Sequence, residues 1–188
     1  MRTVSSAAAL MGGALGLLAG AIVGAIIVIA GDDEPADGWR SIIALVAAAP
    51  HALAIAAAYA SRPAARMVLL LVASTAGLLL SFALYTVGPL FWPAVVLELI
   101  ATVRAFRKSG SSGLGDLMRP LSSLGAAFLF VIAFFALFLH DDPRCARSSC
   151  TSDVVTASEA MLALVLTGAG LALAVWIARD ESRRVALR

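Results

Sequence analysis

The chain of 188 residues is 61% hydrophobic, carries 14% charged residues and has a mean hydropathy of +0.96. Soluble domains are about 45 to 50% apolar, so a water-soluble globular domain is excluded as the expectation for this chain. The net charge is only +2 and no long block of Lys or Arg is present, which excludes a basic nucleic-acid-binding surface.

The first predicted membrane span, 7–30, contains no charged residue, and Gly12, Gly16, Gly20 and Gly24 recur in it at intervals of four. A segment in lipid must satisfy its backbone hydrogen bonds internally, so we expect a helix in spite of the glycines. Small residues at this spacing let two helices approach closely. The glycines therefore predict a helix-packing face, directed either to the rest of this chain, to another membrane subunit or to a second copy.

A cleaved signal peptide is the alternative for this first segment. Arg2 gives a positively charged start, and the segment 28–30, which ends in the small residue Ala30, resembles a signal-peptide cleavage site. The apolar stretch is longer than the roughly 7 to 15 residues of a signal-peptide core. The length therefore favours a retained helix.

Five further apolar segments follow in the chain. A hydrocarbon core about 30 Å thick requires about 20 apolar residues per helix. The remaining predicted spans are 41–60, 67–87, 91–103, 121–139 and 154–178. The fourth of these is short, and Asp153 is the predicted N-cap of the last. The sequence thus predicts an all-α bundle of six transmembrane helices in one domain, 1–188.

The distribution of charge predicts the orientation of the bundle. With both termini in the cytoplasm, 11 of the 14 basic residues fall in cytoplasmic segments. Eight of the 12 acidic residues fall outside, mostly in the loops 31–40 and 140–153. The segment 104–120 becomes a cytoplasmic connection whose Ser and Gly content predicts a flexible linker. The abundance of Ala and Arg, with Lys108 as the single lysine, indicates a GC-rich bacterial genome and hence the bacterial plasma membrane.

Glu98 is the acidic residue that falls well inside a predicted span, six positions before Arg104. Ionisable side chains inside membranes are costly and mark functional sites by default. A buried carboxyl without a partner is neutral, and this state suits proton carriage or cation binding on deprotonation. The structural alternative is a hydrogen-bonded carboxyl that holds two helices together, with Thr102 one turn away.

His51 is the second ionisable side chain in a span, and it follows Pro50 near the middle of the second segment. Because proline frees a backbone carbonyl within a helix, one interpretation is that the imidazole fills the resulting gap. The other is a proton relay with Glu98. The sequence contains nothing that brings these two residues together.

Cys145 and Cys150 both lie in the second external loop. A nearby pair on an oxidising face predicts a disulfide bond that closes a small loop. A redox-active pair would ordinarily show Cys-x-x-Cys spacing and a second pair. A zinc site would need two further ligands, and His140 is the only external histidine.

The sequence shows none of the catalytic or phosphate-binding motifs, so we expect no enzymatic activity, no cofactor and no metal site. The leading hypothesis is a structural, accessory or assembly subunit in the lipid bilayer that acts through its small-residue helix faces. The alternative is a small-solute transporter, or a substrate-binding transporter subunit, with Glu98 in the translocation path. In size and helix count the chain resembles the substrate-binding membrane subunit of vitamin-type energy-coupling transporters, which implies a small-solute ligand.

Overall fold

The computed structural model describes residues 4–30, 41–84, 88–108, 115–137 and 156–186, and all regular secondary structure in these ranges is helical. A short 3-10 helix, Gly88–Phe91, precedes the fourth α-helix. The α-helices are α1 (Val4–Ala30), α2 (Ser41–Tyr59), α3 (Pro63–Ala83), α4 (Trp92–Lys108), α5 (Gly115–Ala136) and α6 (Ala157–Ala186).

Five of these helices are long and apolar enough to cross a membrane, and α5 contributes a shorter apolar segment, Ser123–Ala136. Many large apolar side chains point away from the bundle, among them Ile29 on α1, Val165 on α6 and Phe128 on α5, each more than half exposed. In water such a surface would be strongly unfavourable, whereas lipid tails solvate it. The architecture is that of a multi-pass membrane protein.

The α3 helix has a central place in the bundle. It packs against α2, α4, α5 and α6. The α1 helix packs mainly against α2 and α4, and α5 and α6 pack against each other. The side chains that meet between α1, α2, α3 and α4 form the site described below.

The turn between α2 and α3 is closed by Arg66. The α3 helix begins at Pro63, four residues before the predicted start of the third span, because proline is favoured in the first turn of a helix. This extra turn places the Arg66 guanidinium against the end of α2, where it donates to the carbonyls of Ala57 at 3.2 Å and Ala60 at 2.8 Å. The Ala57 carbonyl also accepts from the Ala60 N–H at 3.2 Å. A cation at the C-terminal end of a helix is also favoured by the helix dipole.

Helix ends replace much of the predicted linker 104–120. The α4 helix continues to Lys108 and α5 begins at Gly115, so both ends of that segment are helical. The sequence prediction ended the span at Val103, where charged residues begin. Basic residues are favourable in the last turn of a helix, and their long side chains extend into water, so the helix continues through them.

The α6 helix begins at Ala157 and is capped by Thr156, whereas Asp153 was the predicted N-cap. The Thr156 hydroxyl accepts from the Glu159 N–H at 3.3 Å, and the Thr156 N–H donates to the Glu159 carboxylate at 2.8 Å. This reciprocal arrangement is a capping box, which satisfies two N-terminal donors at once. It determines where the helix begins, and Asp153 lies outside the described residues.

Candidate functional site

The glycine face of α1 lies against α2 and α4. Gly12, Gly16 and Gly20 are buried, and Gly24 is half-buried. A methyl group at Gly20 would lie 2.5 Å from Cβ of Ala48, and one at Gly24 would lie 3.3 Å from Cβ of Ala44. Because real Cβ atoms do not approach a neighbouring atom within 3.0 Å, glycine is required for the observed contact at Gly20. These contacts are made within the chain.

The structure brings His51 and Glu98 together. His51 Nδ1 and Glu98 Oε1 share a hydrogen bond of 2.7 Å between α2 and α4. The two side chains are 1% and 0% exposed. Each lies near the middle of its candidate span, Ile42–Tyr59 for His51 and Gly88–Arg107 for Glu98. The pair is therefore sealed in the interior of the bundle, far from both ends of its helices.

Two glycines make room for the imidazole. A methyl group at Gly16 would lie 2.5 Å from both Cδ2 and Nδ1 of His51, so the α1 backbone rests directly on the ring. A methyl group at Gly77 of α3 would lie 3.1 Å from Cε1 of His51 and 3.6 Å from Oε2 of Glu98. Phe91, from the 3-10 helix, stacks on the imidazole with 5.6 Å between ring centroids and 11° between planes.

The α1 helix also covers the carboxyl. A methyl group at Gly12 would lie 2.9 Å from Cγ of Glu98 and 3.0 Å from the Ala94 carbonyl oxygen. Gly12 and Gly16, one helical turn apart, therefore cover Glu98 and His51 respectively. The opposite face of α1 carries exposed apolar residues such as Met11 and Leu18. The α1 helix is thus a wall between the pair and the surroundings of the bundle.

Both members of the pair have a second polar atom without a partner. His51 Nε2 and Glu98 Oε2 are fully buried and have no hydrogen-bond partner among the described residues. Buried polar atoms are nearly always paired, and leaving one unpaired costs roughly 1 to 3 kcal/mol. Each such atom requires a physical explanation, such as an ordered water, a bound ion or a catalytic role.

Thr102 supports the backbone beside the pair rather than the carboxyl itself. Its hydroxyl donates to the main-chain oxygen of Glu98 at 2.7 Å and lies 3.4 Å from Oγ of Ser74. The sequence suggested that Thr102 could hold the Glu98 carboxyl, but that role belongs to His51. Thr102 instead ties the α4 backbone to α3.

The pair has no positively charged partner in the described core. The buried polar residues there include no Lys or Arg. In the sequences of α1 and α2 the only side chain that can carry a positive charge is His51, and in α3 it is Arg66, which is engaged at the end of α2. The basic residues of α4, Arg104, Arg107 and Lys108, lie at its C-terminal end. The charge of the pair is therefore governed by its own protons.

The observed contacts revise one interpretation of His51 and add residues that the sequence did not indicate. The imidazole does not fill the gap left by Pro50, because Nδ1 binds Glu98 and Nε2 has no partner among the described residues. Gly77 and Phe91 were not predicted as site residues. A lone glycine in the middle of the third apolar segment was the one sequence signal that pointed to Gly77.

Three further features lie away from the pair. Cys145 and Cys150, the predicted disulfide, are outside the described residues, as is His140. Among the described residues no group of three or more His, Cys, Asp or Glu side chains could hold a metal ion. A pocket of about 80 Å³ lies between α1 and the end of α2, lined by Ser6, Ala7, Leu10, Ala58 and Tyr59.

Comparison with protein-family models, with curated proteins and with solved structures finds no match for this chain. Its function must therefore be argued from the geometry of the His51–Glu98 pair.

Proposed function

We propose that this protein is a small-solute membrane carrier in which the His51–Glu98 pair is a protonatable site in the translocation path. The observation that supports it is the 2.7 Å hydrogen bond between two ionisable side chains buried at mid-helix. Removing ionisable groups from water is costly, and apolar side chains of similar volume can provide comparable stability. A pair of this kind inside a membrane bundle therefore favours a role in moving protons or solute.

The charge of the pair depends on its proton count. With two protons the pair is neutral, either as imidazolium and carboxylate or as neutral imidazole and carboxylic acid. With one proton it carries a net charge of −1, and with three a net charge of +1. A net charge in a low-dielectric interior is strongly disfavoured, so a change in the proton count of the pair is favoured only together with a compensating charge.

The bundle we propose crosses the bacterial plasma membrane six times, with both termini in the cytoplasm. The distribution of basic and acidic residues along the sequence supports this topology. The loops 31–40 and 140–153 are then external, and Cys145 and Cys150 form a disulfide there. Glu98 and His51 lie near the middle of the bilayer, where a carrier's site is reachable alternately from either side.

Access to the pair requires a movement of α1. Gly12 and Gly16 rest on the carboxyl and on the ring, so a solute reaches them only when this wall separates from α2 and α4. A face of glycines has no side chains that interlock with its neighbour, and separating it breaks no side-chain hydrogen bond at these positions. The α1 helix is therefore suited to serve as the moving element.

Infrared spectroscopy of the purified protein tests the proton site. We expect an infrared band of the Glu98 carboxyl group, either the C=O stretch of the acid or the asymmetric stretch of the carboxylate, which changes when the buffer pH is varied. The band should be absent from Glu98→Gln, which keeps the size and hydrogen-bonding capacity of the side chain. It should persist in Asp180→Asn, a matched loss of one acid at the end of α6. A band that is unchanged in Glu98→Gln would refute the proposal.

A ligand screen tests the carrier function. Small amines, amino acids, sugars and alkali salts are added to wild-type protein and to Glu98→Gln, and thermal unfolding in detergent is followed. A ligand that binds the folded state raises the unfolding temperature. We expect at least one class to stabilise the wild type and not the variant. If every class acts equally on the two proteins, Glu98 has no part in solute binding.

A second candidate function is an accessory subunit that docks through small residues. The observation that favours it is an open small-residue face on α6, where Gly168, Ala169 and Ala172 are exposed. No described atom lies within 4 Å of a methyl group placed at Gly168. Gly168→Leu should then reduce the size of a complex in native detergent while the monomer stays folded. Gly16→Leu does not serve as this test, since Gly16 contacts His51 inside the chain.

A further inference from the structure

We infer that a monovalent alkali cation of about the size of Na⁺ replaces one proton of the His51–Glu98 pair. This inference rests on the proposed proton site and names the ligand that exchanges with it. The inference is based on the two buried atoms that have no hydrogen-bond partner among the described residues, Glu98 Oε2 and His51 Nε2.

The hydrogen-bonding character of these atoms changes with the proton count. In the neutral pair one proton lies between Nδ1 and Oε1, the second lies on Nε2 or on Oε2, and the other of these two atoms is an acceptor. When the pair loses one proton, the remaining proton lies between Nδ1 and Oε1, and both free atoms are acceptors. A site with a charge of −1 and only acceptors binds a cation.

No described side chain can supply that positive charge. Glu98 and His51 are the ionisable side chains buried in the described core. Arg66 binds the carbonyls at the end of α2, and Arg104 and Arg107 are exposed near the end of α4. On α5 and α6 the charged residues lie towards the helix ends, outside 120–136 and 160–178. A proton or a bound cation must therefore balance the pair.

The donor set selects a small monovalent ion. A cation of charge +1 restores neutrality, whereas a divalent ion would leave an excess positive charge. Ca²⁺ and Mg²⁺ take six or more oxygen ligands, typically from several carboxylates or waters, and Zn²⁺ takes at least three protein ligands. The pair offers one carboxylate oxygen and one imidazole nitrogen.

The packing restricts the size of the ion. A methyl group at Gly77 would lie 3.1 Å from His51, 3.3 Å from Val95 and 3.6 Å from Glu98 Oε2, and two of these distances are shorter than ordinary contact, so the space between Gly77 and the pair is smaller than one methyl group. An organic cation such as choline is too large for it. The exchange conserves atoms and charge. The neutral pair, which holds two protons, binds one alkali cation, becomes singly protonated and releases one H⁺.

Proton release from the purified protein tests this exchange. Salt is added to wild-type protein in weakly buffered detergent solution containing a pH indicator dye. We expect NaCl to release up to one proton per chain and choline chloride to release none. The amounts released by LiCl and KCl then show which ion radius the site prefers. The release should be lost in Glu98→Gln and kept in Asp180→Asn.

The outcomes separate the two proposals. If NaCl, LiCl and KCl release no more protons than choline chloride while the Glu98 infrared band still titrates, the cation exchange is wrong and the proton site stands. If the band is also absent, both are wrong. If Glu98→Gln releases as much as the wild type, the ion binds elsewhere and the inference is overturned. The wild-type comparison of salts needs no variant, so it holds even if Glu98→Gln fails to fold.

Discussion

Replacing Gly16 with alanine places a methyl group on the imidazole of His51. The new Cβ would lie 2.5 Å from Cδ2 and Nδ1 and closer still to Cγ, whereas ordinary contact begins at 3.4 Å. The ring or the α1 backbone must therefore retreat by more than roughly 0.9 Å, the difference between these two distances. Neither can move freely, because the ring stacks on Phe91 and is bonded to Glu98.

The expected cost follows from a matched control. Gly168→Ala makes the same chemical change on α6, where no described atom lies within 4 Å of the new methyl group. Both variants share the gain in helix propensity, so the difference between them isolates the steric clash. Overpacking of a well-packed site costs about 1 to 3 kcal/mol. For a chain of this size that corresponds to a difference of roughly 2 to 12 °C in unfolding temperature.

Thermal unfolding in detergent, followed by intrinsic tryptophan fluorescence, measures this difference. Gly24→Ala should fall between the two variants, since its new methyl group would lie 3.3 Å from Cβ of Ala44. We also expect the Glu98 infrared band to change in Gly16→Ala, because the hydrogen bond must lengthen when the ring moves. If Gly16→Ala is as stable as Gly168→Ala and its band is unchanged, α1 does not rest on His51.

Three further predictions concern other contacts of the bundle. Arg66→Ala should lower the free energy of unfolding by about 1 to 2 kcal/mol, because its hydrogen bonds to the end of α2 are lost. Arg104 is exposed, so the control Arg104→Ala should change that free energy by less than about 0.5 kcal/mol. Thr156→Ala removes the N-cap of α6 and should cost about 1 kcal/mol, visible as faster amide exchange in its first turn. Cysteines at positions 24 and 44, whose Cβ atoms would lie 3.3 Å apart, should form a disulfide on oxidation in a background without the native cysteines. That crosslink should block salt-induced proton release, and release that continues at the wild-type rate would contradict the movement of α1.

The membrane character and helical class of this protein follow from its composition. Uncharged segments such as 7–30 have no other stable conformation in lipid, because their backbone groups must bond within the segment. The same rule singled out Glu98 and His51, since ionisable side chains are rare and costly inside a span. Periodicity also identified Gly12 and Gly16 as packing positions. Hydropathy, charge within a span and glycine spacing are local properties of the chain, so they can be predicted from the sequence alone.

Tertiary structure decided which of these residues meet. His51 and Glu98 are 47 positions apart, and no local rule relates them. Their contact depends on how α2 and α4 cross, which in turn depends on Gly12 and Gly16 letting α1 approach both helices. Gly77 became a site residue for the same reason, since only the position of α3 places it beside the pair. Hydropathy fixes how deep a residue lies in the bilayer, but the direction it faces is set by packing between helices.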